Sequence, residues 1–333
     1  MIINSISLTN FRNHESFRLD FNPDTTLILG ANGWGKTSIL EAIYILMRGK
    51  SFRATDVDII KNSSDFYRIE LEYDSGETNI AVYDGKQKTF LVGDKKVRRL
   101  PKKNKYPVVL FLPSDLNLIS GSPSRHREYF DRIFSELSDT YGETISKYEK
   151  ALHQRNELLK SDHFNDASLF SWNLLLAKYG TLIKNFRTEY TDLINKELSP
   201  TYYSIAENDD IIDLIYQTEI IATSESAYLA ELERNTEKDH YLGHTSFGVH
   251  RDNFEFIFNN KPADSSASRG ETRSIILALK FVESNIIYTK LHVKPIILLD
   301  DVFSELDQTR RKALINNFKD HQVIITSVED VNR

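Results

Sequence analysis

The sequence predicts an α/β protein whose β-rich first and last parts are separated by a mainly helical insertion, and three observations carry this. Short apolar runs bounded by turn residues fill the N-terminal region and return near the C-terminus. A glycine-containing loop at 30–37 lies between an apolar run and a helical pattern. From about Ser122 to Ser199 glycines are few and apolar residues recur at helical spacing. The expected limits are 1–120 for the first part of a head domain, 121–243 for the helical arm and 244–333 for the rest of the head.

Taken in order, Phe17, Leu19 and Phe21 alternate with polar residues, the period of a half-buried strand, and Asn22-Pro23-Asp24 is a turn. Thr26-Leu27-Ile28-Leu29 reads as a strand buried on both faces. Beyond the loop, Ile39, Leu40, Ile43, Leu46 and Met47 fall on one helical stripe. Between 66 and 100 the runs around Ile69-Leu71-Tyr73, Ile80-Val82 and Phe90-Val92 are separated by Asp74-Ser75-Gly76, Asp84-Gly85 and Gly93-Asp94, as in an antiparallel meander. Residues 200–245 mix short strands and helix; Phe254–Phe258 is a strand, a helix starts near Thr272, and Ile296–Leu299 is a buried strand.

Composition bounds the function. The 333 residues are 40% hydrophobic and 27% charged, an ordinary globular profile long enough for two domains. Without cysteine there is neither a disulfide framework nor a thiolate metal site, which fits a reducing compartment. Met1–Ser5 lacks a secretory start and no apolar stretch approaches membrane-spanning length, so a soluble cytoplasmic chain with no membrane partner is expected. Lys86, Lys88, Lys95, Lys96, Arg98, Arg99, Lys102, Lys103 and Lys105 stand against the single acid Asp94, a window of +8 on a chain of net charge −6. Such a patch on an acidic body suits a polyanion; the competing reading is a solvated edge hairpin that blocks aggregation.

Gly30-Ala31-Asn32-Gly33-Trp34-Gly35-Lys36-Thr37 fits the G-x-x-x-x-G-K-[ST] phosphate loop, and it follows a strand and opens a helix as that loop requires. Backbone N–H groups turn inward around phosphate, Lys36 reaches its oxygens, Thr37 is suited to Mg²⁺, and Ser38 continues the cradle. Ile296–Leu299 followed by Asp300-Asp301 is the natural second half: Asp300 joins the Mg²⁺ shell and Asp301 orients or deprotonates water. Lys36, Asp300 and Asp301 are thus the expected catalytic groups of an ATPase. The histidines show no zinc-site spacing, leaving Mg²⁺ as the expected metal. Trp34 packs on nucleotide, on a partner chain, or lies on the surface, which is the favoured reading.

Ser268-Arg269-Gly270-Glu271 opens a helix and Ser304-Glu305-Leu306-Asp307 follows the acid pair; alone they read as a helix cap and a turn. In their order with the phosphate loop and Asp300-Asp301, they resemble the ATP-binding-cassette class of ATPase heads. Further segments run in register over nearly the whole chain: Leu8–Asn13, Pro113–Leu116, Gly121–Arg127, Gln154–Leu159, Gly248–Asp252 and Asp300–Asp307. Together these resemble the RecF family of bacterial DNA replication and repair proteins, within the SMC/Rad50-like heads.

The resemblance implies a P-loop ABC-type ATPase head, with a mixed sheet plus an antiparallel β subdomain, carrying an inserted helical arm. It implies that ATP glues a head-to-head homodimer, with Ser268 and Gly270 completing the nucleotide site across it and Glu271 and Asp307 among the nucleotide-binding residues. It also implies binding to gapped, single- and double-stranded DNA, slow DNA-stimulated hydrolysis coupled to release, and RecA loading with RecO and RecR. The expected DNA contacts are Lys95, Lys96, Arg98 and Arg99, with Arg125 and Arg127 as the alternative place. Several residues depart from the family pattern: Trp34, Val249, Asn253, and Thr326 or Ser327 where transporter cassettes carry a switch histidine. The chain also stops at Arg333, where relatives continue. Asp301 is a methylene shorter than the Glu of most of the class, a reason to expect slow turnover. Rival readings are a transporter motor, an SMC-like chromosome protein and an ATPase-linked nuclease. The first leaves the basic hairpin unused, the second needs sustained heptads, and the third needs an added acidic domain.

Overall fold

The computed structural model describes residues 1–93, 95–161, 166–220 and 224–328. Asp94 and the C-terminal residues 329–333 lie outside them, as do the side chains of Asp166 and Glu305. The chain packs as two units, Met1–Leu116 with Ile287–Arg333, and Asn117–Ile286.

The first unit opens with β1 (Ile3–Phe11), β2 (His14–Asp20) and β3 (Thr25–Leu29), then α1 (Lys36–Arg48). Next come β4 (Tyr67–Tyr73), β5 (Thr78–Tyr83), β6 (Lys88–Val92), β7 (Lys95–Val97) and β8 (Val108–Phe111). Two sheets result among the described residues: an antiparallel one of order β2-β1-β4-β5-β6-β7, and a parallel one that combines β3 and β8 with two strands from the end of the chain. The alternation at Tyr67, Ile69, Leu71 and Tyr73 buries one face of β4, where these residues join Ile3, Ile6 and Leu8 in the core. Against them lies α1, of which Ser38 through Met47 are all buried, so it is a core helix rather than an amphipathic surface one. Gly49 ends it in the left-handed conformation, its N–H donating to Ile45 O.

The hairpin β6–β7 is as the turn signals predict, with Phe90 opposite Val97 and Leu91 opposite Lys96. Because β7 ends the sheet order, Lys95 and Lys96, with Arg98 and Arg99 just beyond, stand exposed along its edge.

The second unit begins with α2 (Pro123–Leu137), α3 (Asp139–Leu159) and α4 (Asp166–Ala206). Ser122 and Ser138 cap the first two through their side-chain oxygens. They are followed by β9 (Ile212–Gln217), α5 (Glu225–Arg234), α6 (Thr236–Leu242), β10 (Asn253–Phe258), β11 (Lys261–Pro262), α7 (Ala263–Ser266) and α8 (Arg269–Leu291). The sequence expectation returns to the head at 244, but β10 pairs with β9 along its full length, and this keeps 244–286 in the second unit. Phe130, Phe134 and Phe254 pack ring to ring in its interior, with centroids 4.5 Å apart for Phe130 and Phe254.

Two fully buried arginines organise that interior. Arg155 donates to Asn173 Oδ1 (2.6 Å), Asp239 Oδ2 (2.7 Å) and Thr245 Oγ1 (2.7 Å). Arg187 donates to Asp131 (2.9 Å), to Val249 O (2.7 Å) and to Asp252 (3.4 Å). A buried guanidinium is tolerable only when its donors are met in this way. The Gln154–Leu159 and Gly248–Asp252 segments therefore serve the architecture of this unit.

The chain ends with β12 (Ile296–Asp300), α9 (Gln308–Asn317) and β13 (Val323–Ser327), completing a parallel sheet of order β3-β13-β12-β8. All of β12 and β13 is buried, as continuous apolar runs predict for interior parallel strands. β3 differs from its expectation of two buried faces: only Thr26 and Ile28 are buried and Leu29 is 44% exposed. Among the described residues it is the last strand in the sheet order and pairs with β13 alone. Gln322 ties this sheet to β1: its side chain accepts from Ile3 N (2.8 Å) and donates to Ile3 O (2.7 Å), like one more ladder rung.

Candidate nucleotide site

The phosphate loop joins β3 to α1 as the sequence predicts. Gly33 and Gly35 have φ of +81° and +101°, a region that costs other residues strain. At Gly35 space is also short, since a Cβ would lie 2.4 Å from His14 Nε2, which contacts Gly35 O at 3.2 Å. The loop is tied at three further points: Gly30 N donates to Ser327 O (3.3 Å), Trp34 N to Ala31 O (3.2 Å) and Asn13 Nδ2 to Gly33 O (3.0 Å). Lys36 is 7% exposed, and its ammonium donates to Gly30 O (2.6 Å) and Ala31 O (3.2 Å), which holds it over the loop.

The tip of β12 meets this loop directly. Thr37 Oγ1 lies 2.8 and 2.9 Å from the two oxygens of Asp300. Asp300 is 8% exposed. Asp301 follows in the left-handed conformation, φ 48°, rare for a residue with a side chain. Its Oδ1 is buried without a hydrogen-bond partner. Burying a carboxylate oxygen unpaired is costly unless something polar is meant to meet it.

A cavity of about 670 Å³ opens here, lined by Asn32, Gly33, Gly35, Lys36, Thr37 and Ser38 of the loop, by Asp300 and Asp301, and by Arg12, Asn13, Arg53, Ala54 and Asp58. That volume suits a nucleotide. The donor set also fits Mg²⁺: a hydroxyl and a carboxylate side by side, beside an unpaired carboxylate oxygen, are the hard oxygen ligands that ion takes.

Arg12 and Arg53 are functional candidates that the sequence left unassigned. Both are held by Glu41, fully buried on α1: Arg12 Nε and Nη2 each lie 2.9 Å from its oxygens, Arg53 Nη2 is at 2.9 Å, and Ser51 Oγ at 2.6 Å. Burial pushes the Glu41 carboxyl up, but Arg12, Arg53 and Ser51 outweigh it and hold it below the ordinary value. The acid thus stays ionised and keeps two guanidinium groups beside the phosphate loop, a placement suited to a polyanion. Arg12 is part of the Leu8–Asn13 segment, but nothing local couples it to Glu41 or Arg53.

The other expected site residues fall elsewhere. Trp34 is 46% exposed, its ring edge-on to Phe17 and His14 at 5.6 and 5.8 Å, so it lies on the surface but is pinned on one side. Ser268 and Glu271 form a reciprocal capping box at the start of α8: Ser268 N donates to Glu271 Oε2 (2.6 Å) and Glu271 N to Ser268 Oγ (3.3 Å). Ser268 is exposed and Gly270 partly so. Asp307 caps α9, accepting from Arg310 N (2.9 Å) and pairing with the Arg310 guanidinium. That backbone donor lowers its carboxyl from the usual range, and Asp307 does not line the cavity. Arg127 donates to Asp252 O (2.6 Å), so the alternative DNA position is partly committed to its own unit.

Comparison with known proteins finds likenesses over most of the chain. Residues 1–241 match the family described as AAA ATPase domain. The DNA replication and repair protein RecF of Clostridioides difficile (strain 630) is 31% identical, over 99% of this chain and 92% of its own length. RecF of Clostridium perfringens (strain SM101 / Type A) is 32% identical, over 99% and 94%. A solved structure described as the recombination mediator protein RecF-ATP in the RecFOR pathway matches with a TM-score of 0.89 at 26% identity, over 100% of this chain and 93% of that one. An SMC head bound to the C-winged helix domain of ScpA shares the fold, with a TM-score of 0.56 at 16% identity over 99% of this chain and 91% of that one. Among the described residues no helix is long and apolar enough to cross a membrane.

Proposed function

Because the chain belongs to the RecF family of DNA replication and repair proteins, we propose that it is an ATPase that dimerises on ATP, binds DNA at single-strand gaps and helps load RecA together with RecO and RecR. The observation carrying this reading is the Thr37–Asp300 contact in the lining of the cavity that the phosphate loop helps to form. It brings together two motifs 263 residues apart in the arrangement that phosphoryl transfer needs.

In this reading the loop N–H groups and Lys36 hold the β- and γ-phosphates of ATP, with Arg12 and Arg53 adding positive charge. Bound Mg²⁺, held by Thr37 and Asp300, supplies neutralisation of the phosphate charge. Ser268 and Gly270 of the partner subunit close over the γ-phosphate. Asp301 orients a water and takes its proton as the water oxygen bonds to phosphorus and the bond to the bridging oxygen breaks. Hydrolysis is slow, rises on DNA and releases the dimer, and the work is done in the cytoplasm.

The exposed Lys95, Lys96, Arg98 and Arg99 are the DNA contact, meeting phosphates without regard to sequence.

Sedimentation with ATP, ADP and no nucleotide, alone and with duplex or gapped DNA, tests the scheme. The dimer forms with ATP and disappears in Lys36→Ala; a dimer of equal population without nucleotide refutes it.

A further inference from the structure

We propose that Thr326 is the positioning residue that sets the Asp300–Asp301 pair for hydrolysis. The inference rests on the reading of Asp301 as the water-orienting group. Thr326 lies at the penultimate position of β13 and is fully buried. Its hydroxyl lies 2.8 Å from Asp300 Oδ1 and 3.0 Å from Asp301 N. One hydroxyl carries a single proton, and a carboxylate can only accept, so that proton goes to Asp300 and a lone pair meets the Asp301 N–H.

Both acids are thereby constrained by one atom. Asp300 takes hydroxyl donors from two directions, Thr37 and Thr326, which fixes the rotation of its carboxylate. Asp301 N also donates to Thr326 O at 3.1 Å, so the main chain and side chain of one residue hold the turn at φ 48°. That strained turn leaves Asp301 Oδ1 buried and unpaired beside the loop. The next residue extends the link: Ser327 O accepts from Gly30 N, the first residue of the phosphate loop. The end of β13 therefore connects loop and acid pair through consecutive residues. A β-branched side chain suits the task, since its χ1 is stiff and its hydroxyl direction is set by packing.

A purely structural threonine would satisfy polar atoms and no more. The distinguishing measurements are steady-state hydrolysis, titration of a fluorescent ATP analogue with and without Mg²⁺, and thermal unfolding, on the full chain carrying Thr326→Val or Thr326→Ser. Valine keeps the shape and deletes the hydroxyl. We expect Thr326→Val to lower kcat about tenfold or more, the effect of losing a hydrogen bond to a charged group. Metal-free nucleotide affinity stays within about twofold, while the Mg²⁺ concentration for half-maximal binding rises about tenfold, as for other groups that orient a metal ligand. Thr326→Ser recovers most of kcat. Added to Asp301→Asn, Thr326→Val costs kcat little more, because the two act through one group.

An unchanged kcat in Thr326→Val overturns the proposal. So does a parallel loss of metal-free binding and kcat, or a serine variant as impaired as the valine one. Full activity in Asp301→Asn instead sinks the reading of Asp301 itself, whatever Thr326 does.

Discussion

At the scale of single residues, strain and charge concentrate where the loop meets its neighbours. Gly35→Ala places a side chain at φ +101° and 2.4 Å from His14 Nε2. A positive-φ penalty of about 1–3 kcal/mol adds to that clash, so ATP affinity falls about tenfold or more in an analogue titration. Glu41→Gln is a different test. Two guanidinium groups lose their counter-charge, and because Arg12 and Arg53 keep 23% and 36% side-chain exposure the cost is tempered by solvent. Unfolding stability at neutral pH is expected to drop roughly 2–3 kcal/mol, just under the range for breaking a fully buried pair. The sign with pH follows from the lowered carboxyl: its contribution is complete above the unfolded value of 4.5 and is lost as pH falls through the folded one. The stability gap between wild type and Glu41→Gln therefore closes in acid; a constant gap down to pH 3 contradicts it. That Lys36, Thr37, Asp300 and Asp301 would meet at one place was legible because loop and strand tip carry local signatures. The pairings of Arg12 and Arg53 with Glu41 and of Thr326 with Asp300 were not, since those partners stand 29, 12 and 26 residues away in the chain.

At the scale of elements, the sequence showed existence and type well and burial less well. The meander, α1, the strand into the acid pair and the helix after Ser268 all stand where periodicity put them. β3 was misjudged because a short run such as Thr26-Leu27-Ile28-Leu29 reads alike on an edge strand and an interior one; only sheet order separates the two cases. The hairpin β6–β7 yields a prediction at this scale. Changing Lys95, Lys96, Arg98 and Arg99 to Glu weakens DNA binding and lowers the salt slope by roughly 0.9 for each phosphate that is no longer neutralised. Unchanged affinity assigns the hairpin to edge protection. In the second unit, Val249 N donates to Tyr228 OH (3.2 Å), which lies 3.4 Å from Tyr148 OH, itself 2.8 Å from His250 Nδ1. His250 Nε2 faces Thr245 O at 3.0 Å and so carries the proton, leaving Nδ1 to accept. Burial pushes the imidazole down to about 4 from 6.5. A histidine kept neutral in the fold makes stability fall as pH drops from 6.5 towards 4, because only the unfolded chain takes the proton there. His250→Gln flattens that part of the stability curve; the same slope in both proteins removes His250 as its cause.

At the scale of the whole molecule, the arrangement to be tested is one site built from two chains. Every residue lining the cavity comes from the first unit, whereas the Ser268-Arg269-Gly270-Glu271 cap belongs to the second and presents an exposed serine. Under two-fold symmetry each dimer has two equivalent composite sites, each taking its loop from one chain and its cap from the other. Lys36→Ala spoils every loop and leaves every cap intact. Ser268→Arg spoils every cap and leaves every loop intact. Each variant alone is therefore inactive. In a mixture, however, the mixed dimer pairs the sound loop of one chain with the sound cap of the other. Neither variant forms an ATP-held dimer with itself, so the mixed dimers are the ones that form, one of their two sites works, and ATP hydrolysis returns to at most roughly half of the wild-type rate. A chain that completes its own site gives no such rescue: the mixture of two dead proteins stays dead at every ratio, and the two-chain site is then ruled out whatever the sedimentation shows.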